Sequence, residues 1–292
     1  MTVHHQSHCK INLLLNILRK REDGFHELET VMAPVACFDE LEFSKSHAGI
    51  RIIGNHPELN DDPQNLIRRA AQAFFAETRI EPEVHIRHEK RLPMAAGLGG
   101  GSSNAAHTLR GLNELFDEPL ASDDLHRLAA QLGSDINFFL QDGPAMATGR
   151  GEQVESLEPF PALKDAGLLL IKPGFGVSTP WAFKNLARYP KALEGTPGRA
   201  KLLVELLNGS DVGSATAEFY NSLEASVLPK HPLLKIYQDF LNEHGAIVSL
   251  MSGSGSTTFA VTGSEVDAKE LGQAFVARFG NHCWTSATRL QG

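Results

Sequence analysis

Apolar and polar residues alternate from Cys9 to Leu13 and then merge into a short apolar run ending at Leu18, the pattern of a buried strand. Charged residues and Asp23-Gly24 follow, a turn signal, and Phe25 to Phe38 resumes in extended, β-branched and apolar residues. Asp39 to Phe43 and Gly49 to Ile53 continue in the same way, so the start of the chain reads as mostly strand. The period then changes. Leu66, Ile67, Ala70, Ala71, Phe74 and Phe75 recur at helical spacing behind Asn65, a good N-cap. Glu83 to His88 alternates again and leads through Lys90-Arg91-Leu92-Pro93 into a stretch that is glycine at every position of 97–101 except Leu98. Ser102 to Phe116 reads as a helix headed by serines suited to cap it, and Asp123 to Gly133 as a second helix closed by its glycine. Ile136 to Leu140 is apolar, and Gly143 to Gly151 reads as loop.

Prolines around Glu158-Pro159-Phe160-Pro161 mark a linker. They divide the chain into an N-terminal domain, 1–157, and a C-terminal domain, 158–292. Beyond the linker, strands are expected at Gly167–Lys172, Ala246–Met251 and Phe259–Val261. Helices are expected at Ala200–Leu207, at Val266–Phe279, and over Asn221–Leu241 with interruptions at Pro229 and Pro232. No internal repeat is visible. The expectation is two α+β domains with the ligand site in the cleft between them.

Composition narrows the function. Lys+Arg 27 against Asp+Glu 35 leaves a net charge of −8, the wrong sign for a protein that lives on phosphate backbones, so no nucleic-acid partner is expected. No apolar run reaches the roughly 18–20 residues that span a bilayer, so no membrane partner is expected either. Cys9, Cys37 and Cys283 are few and far apart, which suits a reducing compartment. The start of the chain lacks a basic segment followed by an apolar one, and only a short leader precedes Lys10; a bacterial cytoplasm is expected.

The most informative segment is Pro93-Met94-Ala95-Ala96-Gly97-Leu98-Gly99-Gly100-Gly101-Ser102-Ser103-Asn104-Ala105-Ala106. Glycines let the backbone adopt positive φ and approach a ligand closely. The helix that follows offers unpaired N–H groups and the positive end of its dipole, an anion site best suited to phosphate. Ser102 and Ser103 are placed to cap the helix, contact phosphate oxygens or help hold Mg²⁺. No Gly-Lys-Ser/Thr follows, so this is not a P-loop, and Ser102 stands where a dinucleotide fingerprint needs its third glycine.

This segment resembles the signature of the small-molecule kinases that include galactokinase, homoserine kinase, mevalonate kinase and phosphomevalonate kinase. Its wording is most similar to the branch that phosphorylates 4-diphosphocytidyl-2-C-methyl-D-erythritol on the non-mevalonate route to isoprenoid precursors. Three more segments agree in order and spacing. They are Lys10-Ile11-Asn12-Leu13 with the Arg21-Glu22-Asp23-Gly24-Phe25-His26-Glu27-Leu28 hairpin, Gly133-Ser134-Asp135-Ile136-Asn137-Phe138-Phe139, and Met251-Ser252-Gly253-Ser254-Gly255-Ser256. The resemblance spans nearly the whole chain, and the hairpin is what narrows it to that branch.

The resemblance implies ATP as phosphate donor, Mg²⁺ as its companion, and a two-domain α+β kinase fold. It implies Asp135 as the base that takes the acceptor's hydroxyl proton, with Lys10 as its cationic partner and Asn12 beside it. A lysine among Cys9, Ile11 and Leu13 is costly without an acidic partner, and an N-cap role for Asp135 is compatible with catalysis. The ATP phosphates would lie on the loop from Pro93 to Ser103, that is Pro93, Met94, Ala95, Ala96, Gly97, Leu98, Gly99, Gly100, Gly101, Ser102 and Ser103, and the adenine near Asn65 and Lys90. The substrate's cytidine end would meet Phe25 and His26, with Phe183 closing an aromatic sandwich and Thr179 nearby. The motifs identify no carboxylate ligand for the metal.

Two departures stand out. Ser7-His8-Cys9 replaces the Ala-Pro-Ala usual in the family, and Asn137 stands where proline is common. His4, His5, His8 and Cys9 invite a metal hypothesis but read better as an exposed N-terminal tail. His85 and His88, three apart on a strand, point to opposite faces. A sister kinase of homoserine, mevalonate or a sugar is the competing enzyme; the Asp23-Gly24-Phe25-His26 hairpin argues against it. A catalytically inactive nucleotide-binding regulator is the competing non-enzyme; retention of Lys10 and Asp135 argues against that.

Overall fold

A computed structural model of the chain describes residues 1–47 and 49–291. The first half comprises β1 (Thr2–Lys20), β2 (His26–Lys45), β3 (Ile50–Gly54), α1 (Pro57–Asn60), α2 (Leu66–Thr78), β4 (Val84–Glu89), α3 (Gly100–Leu115) and α4 (Ser122–Leu132). The second comprises β5 (Ala145–Thr148), β6 (Gln153–Ser156), β7 (Gly167–Lys172), α5 (Thr179–Asn185), α6 (Arg199–Leu207), β8 (Tyr220–Asn221), α7 (Glu224–Val227) and α8 (Pro232–Glu243). It ends with β9 (Val248–Met251), β10 (Thr258–Thr262), α9 (Glu265–Phe279) and β11 (Trp284–Arg289). The α+β class holds. Among the described residues no helix is long and apolar enough to cross a membrane.

Two compact units form, each from separated segments. The first is Met1–Cys9, Cys37–Leu92 and Gly99–Asp142; the second is Lys10–Ala36, Pro93–Leu98 and the chain from Gly143 onward. These lines differ from a single cut near residue 157, because β1 and β2 are 19 and 20 residues long and each contributes strand to both units.

In the first unit, β2 pairs antiparallel with β4 (Phe43↔Ile86), and β4 pairs parallel with β3 (Ile52↔Ile86). Leu41, Phe43, Val84 and Ile86 share the buried parity of these strands. Ile67, Ala70, Ala71 and Phe74 of α2 and Ala105, Ala106, Leu109 and Leu112 of α3 supply the helical side of this core. Gly111 brings α3 so close to Phe43 that a Cβ there would overlap the ring. Asn65 caps α2 as its sequence predicts, accepting the Ile67 N–H.

In the second unit, β2 pairs with β5 (Val31↔Met146), β5 with β6, and β1 runs parallel to β8 (Leu14↔Tyr220, Leu15↔Asn221). A separate antiparallel sheet has the order β11-β7-β10-β9. Leu169, Ile171 and Ala260 of that sheet pack with Tyr237 and Leu241 of α8 and with Leu271 and Phe275 of α9.

Four local expectations are corrected. Residues 145–148 are strand rather than loop, because Ala145 and Ala147 are small enough to bury beside β2 between flanking glycines. His4 to Cys9 is part of β1 rather than a tail, with Cys9 fully buried. The helix expected from Ser102 begins two residues earlier at Gly100. Gly99, at φ 69°, occupies the cap position, and the serines lie in the first turn. Of the span 221–241, Tyr220–Asn221 is strand and Pro232 opens α8, at the helix N-terminus where proline's missing N–H costs nothing.

Candidate active site

In the second unit, Lys10 is fixed by the first half of the glycine loop. Its ammonium donates to Asn12 Oδ1 at 2.5 Å and to the Gly97 carbonyl at 3.1 Å, and its backbone N–H donates to the Leu98 carbonyl at 3.0 Å. Asn12 is held in turn, its amide donating to Thr30 Oγ1 at 2.9 Å. Lys10 and Asn12 are both buried, so a hydrated, freely rotating ammonium is excluded. The Gly97 carbonyl also accepts from Ser252 Oγ at 3.0 Å, and Thr257 N–H donates to the Ala96 carbonyl at 3.0 Å. Gly97 sits at φ 78°, and a Cβ there would run into the Ser252 carbonyl and the Gly255 N–H. Of the remaining loop residues in this unit, Met94 and Ala95 are exposed, Ala95 with φ 49°, and Pro93 is half-buried.

The first unit carries the rest of the loop and the acidic motif. Gly100 and Gly101 open α3, where an α-helix presents N–H groups without intrahelical partners and favours an anion. Ser102 is half-buried, whereas Ser103 is fully buried and its hydroxyl accepts from Ser7 Oγ at 2.7 Å. The departure at Ser7 therefore supplies a partner that the usual alanine lacks. Asn65 has both ends of its amide engaged, with the Ile67 N–H and with the Leu59 carbonyl at 2.8 Å. Asp135 lies half-buried in the turn between α4, closed by Gly133, and the 3₁₀ segment Asn137–Leu140. Asn137, the second departure, is buried with its Oδ1 facing His126 Nδ1 at 3.3 Å, a contact proline cannot make.

Lys90 is turned inward. Its ammonium donates to Asp39 Oδ2 at 2.5 Å, and its backbone N–H and carbonyl both bond the Asn55 amide. Asp39, with no exposed surface, also accepts from the Arg91 and Leu92 N–H groups at 2.8 Å and from Asn104 Nδ2 at 3.0 Å. Burial alone would raise its pKa. His88, whose Nε2 lies 3.7 Å from Oδ2, the charge of Lys90 and the Leu92 N–H overcome that and hold it well below the ordinary carboxylate range.

At the β1–β2 hairpin, Arg21 N–H donates to the Phe25 carbonyl and Asp23 accepts the Phe25 N–H. Phe25 is left half exposed, with the Arg150 guanidinium 4.8 Å over its ring. His26 and Phe183, far apart in sequence, meet with ring centroids 5.2 Å apart. Thr179 Oγ1 bonds Ser254 Oγ at 2.7 Å, tying the N-terminus of α5 to the Ser252–Ser256 segment.

Sequence reasoning missed Asp39, Asn221 and Glu224. Asp39 carried a usable signal, since it shares strand parity with the buried Leu41 and Phe43. Asn221 and Glu224 carried none. Their roles depend on a loop 30 and 27 residues further along the chain.

Known proteins bear on this geometry. The model of the GHMP kinases N-terminal domain matches residues 65–149, and that of the GHMP kinases C-terminal domain matches residues 198–282. A 4-diphosphocytidyl-2-C-methyl-D-erythritol kinase from Heliobacterium modesticaldum is 38% identical over 93% of this chain and 90% of its own length. Another from Desulfitobacterium hafniense is 35% identical over 98% and 96%. A crystal structure of a 4-(cytidine 5'-diphospho)-2C-methyl-D-erythritol kinase superposes with a TM-score of 0.83 at 31% identity, covering 99% of both chains. The chain belongs to the 4-diphosphocytidyl-2-C-methyl-D-erythritol kinase family. It is an ATP-dependent kinase of the GHMP fold. A homoserine kinase from Cytophaga hutchinsonii, with a TM-score of 0.76 at 19% identity, shares the fold alone.

Proposed function

We propose that this kinase transfers the γ-phosphoryl group of ATP to the 2-hydroxyl of 4-diphosphocytidyl-2-C-methyl-D-erythritol. The observation that carries this choice of acceptor is the hairpin. Phe25 offers a half-exposed ring, and the packed pair His26 and Phe183 offers an aromatic edge with a ring nitrogen, a combination suited to a pyrimidine base. Sister kinases whose acceptors carry no base have no use for it.

In this reading Asp135 takes the hydroxyl proton as the acceptor oxygen bonds to the γ-phosphorus and the bond to the ADP oxygen breaks. Lys10, immobilised by Asn12 and Gly97, stabilises the charge that develops in transfer. Pro93 to Ser103 receives the ATP phosphates, with Asn65 and Lys90 toward the adenine and Asn12 and Thr179 toward the acceptor. Mg²⁺ held mainly by the nucleotide phosphates and water would need few protein ligands. Ser102, half-buried in the first turn of α3, has the right chemistry for one of them. Metal bound there would neutralise phosphate charge. A cytoplasmic location fits this chemistry.

The test is ADP release with Mg-ATP and 4-diphosphocytidyl-2-C-methyl-D-erythritol, run beside homoserine, mevalonate and galactose. Turnover with the cytidyl acceptor alone is expected, together with loss of about 10³-fold or more in kcat for Asp135→Asn. Turnover with another acceptor would overturn the hairpin argument, and full activity of Asp135→Asn would overturn the assignment of the base.

A further inference from the structure

Lys10 shares its carbonyl acceptor with a loop from far along the chain. The Gly97 carbonyl that receives the Lys10 ammonium also receives Ser252 Oγ, and the Ala96 carbonyl receives the Thr257 N–H. The segment 252–257 closes on itself, Ser252 N–H donating to the Thr257 carbonyl and Gly255 N–H to the Ser252 carbonyl, both at 2.9 Å. A Cβ on Gly253 would stand 3.3 Å from both Lys10 Nζ and Asn12 Oδ1, so this loop passes directly against the lysine. Its placement sets where the ammonium points.

Two side chains from one short stretch grip the base of that loop. Asn221 Nδ2 donates to the Met251 carbonyl and to the Gly253 carbonyl, each at 2.7 Å, while its Oδ1 accepts the Leu223 N–H at 2.9 Å. Glu224 Oε1 accepts the Met251 N–H at 2.8 Å and is steadied by Gln238 Nε2 at 2.6 Å. Met251 thus has its N–H on Glu224 and its carbonyl on Asn221. Both capacities of the Asn221 amide are used and the residue is buried, so neither is spent on solvent. Its hold on Gly253 also keeps that carbonyl turned toward Asn221.

We propose that Asn221 and Glu224 form a clamp on the 251–257 loop, and that Asn221 is a positioning residue for phosphoryl transfer, acting through Gly97 on Lys10. The proposal rests on the reading above in giving Lys10 its role, but the clamp itself is independent of it. Asn221 touches neither nucleotide nor acceptor in this scheme. Its loss therefore lowers kcat by at least about 10-fold while KM for ATP and for the acceptor stays within about threefold.

The decisive variant is Asn221→Asp, which keeps shape and the Leu223 contact but cannot donate while ionised. An aspartate facing two carbonyl oxygens has its pKa raised, and once protonated it restores one of the two donated bonds. The charged groups held against the same loop are Glu224, on the Met251 N–H, and Lys10, beside Gly253. The ratio of N221D to wild-type kcat is expected to rise about fivefold or more between pH 8 and pH 6, whereas the ratio for N221A stays flat. Native-state amide exchange on the intact chain supplies a second readout. N221A, or N221D at pH 8 if N221A does not fold, speeds exchange at Ser252, Gly255 and Thr257 and leaves β7 unchanged. A flat N221D ratio, or exchange that accelerates equally in β7 and the loop, overturns the positioning role. A wild-type chain without turnover on any acceptor would sink the functional reading, and the exchange experiment would then decide the clamp alone.

Discussion

Removing the Asp39 carboxylate is the most severe test of how the first unit is held together. In Asp39→Ala, Lys90 keeps its charge in a setting where its side chain is only 6% exposed, with the ion pair at 2.5 Å gone. The Arg91 and Leu92 N–H groups lose an acceptor at 2.8 Å, and Asn104 keeps only its contact with His88 at 3.1 Å. Breaking a buried pair from one side costs about 3–5 kcal/mol, and each orphaned N–H about 1–3 kcal/mol. These do not add, because the long lysine stem can carry its charge outward, so the expected cost is about 4 kcal/mol. Tryptophan fluorescence is a poor assay, since Trp181 and Trp284 both belong to the second unit. Native-state amide exchange across α2 and α3 reads the right place, and about 4 kcal/mol corresponds to exchange accelerated roughly 10³-fold. The double variant Asp39→Ala/Lys90→Met removes the stranded charge and should recover about half of the loss. Less than tenfold acceleration in the single variant, or no recovery in the double, would refute the reasoning. The sign with pH is fixed as well. Asp39 titrates below its ordinary value of 3.8, so its stabilisation is complete above that pH and is lost as the pH falls through the depressed value.

Three further outcomes are expected. Gly97→Ala forces a side chain into a φ of 78° against the Ser252 backbone, and should cost roughly 1–3 kcal/mol of stability with at least about tenfold in kcat, read by thermal unfolding and steady-state kinetics. His107 is held neutral by burial and, less strongly, by the charges of His5, Arg110 and His8, which lower its pKa from 6.5 to about 3. Stability is therefore unaffected by this group above 6.5 and falls as the pH drops toward 3, by about 2 kcal/mol at pH 5. His107→Gln should flatten that slope in urea titrations at pH 7 and pH 5, and an unchanged slope would count against it. Phe183→Ala, which removes the ring against His26, should raise KM for the cytidyl acceptor roughly tenfold or more and leave KM for ATP unchanged; an equal rise in both would argue against a role in base recognition.

Local chemistry was legible where it was local. Asn65 announced the start of α2, Asp23-Gly24 announced the hairpin, and the alternation of Glu83 to His88 placed His85 and His88 on opposite faces. The serines after the glycine run misled, because Gly99 reaches a positive φ and takes the cap itself. The histidines near the N-terminus misled for a different reason. His5 reads as tail until Nδ1 meets His107 Nδ1 at 3.1 Å and Nε2 meets Glu114 at 3.2 Å, contacts with residues more than a hundred positions away. Lys10, Asn12 and Gly97 were visible as motif residues, yet what fixes them, Ser252 from below and Asn221 behind it, is a matter of tertiary hydrogen bonding that no spacing encodes. Trp284 to Arg289 has too little apolar alternation to announce the strand that pairs with β7.

The interleaving of the two units sets the order in which this protein can be completed during synthesis. Leu14 and Leu15 emerge from the ribosome about 200 residues before their partners Tyr220 and Asn221, roughly 10–40 s at ordinary elongation rates. The first unit, by contrast, has all its segments once Asp142 has emerged. The nascent chain therefore carries the apolar edge of β1 unpaired on that side until β8 has emerged. Conditions that slow elongation beyond residue 142 should burden this kinase with chaperone dependence more than an equal delay before it.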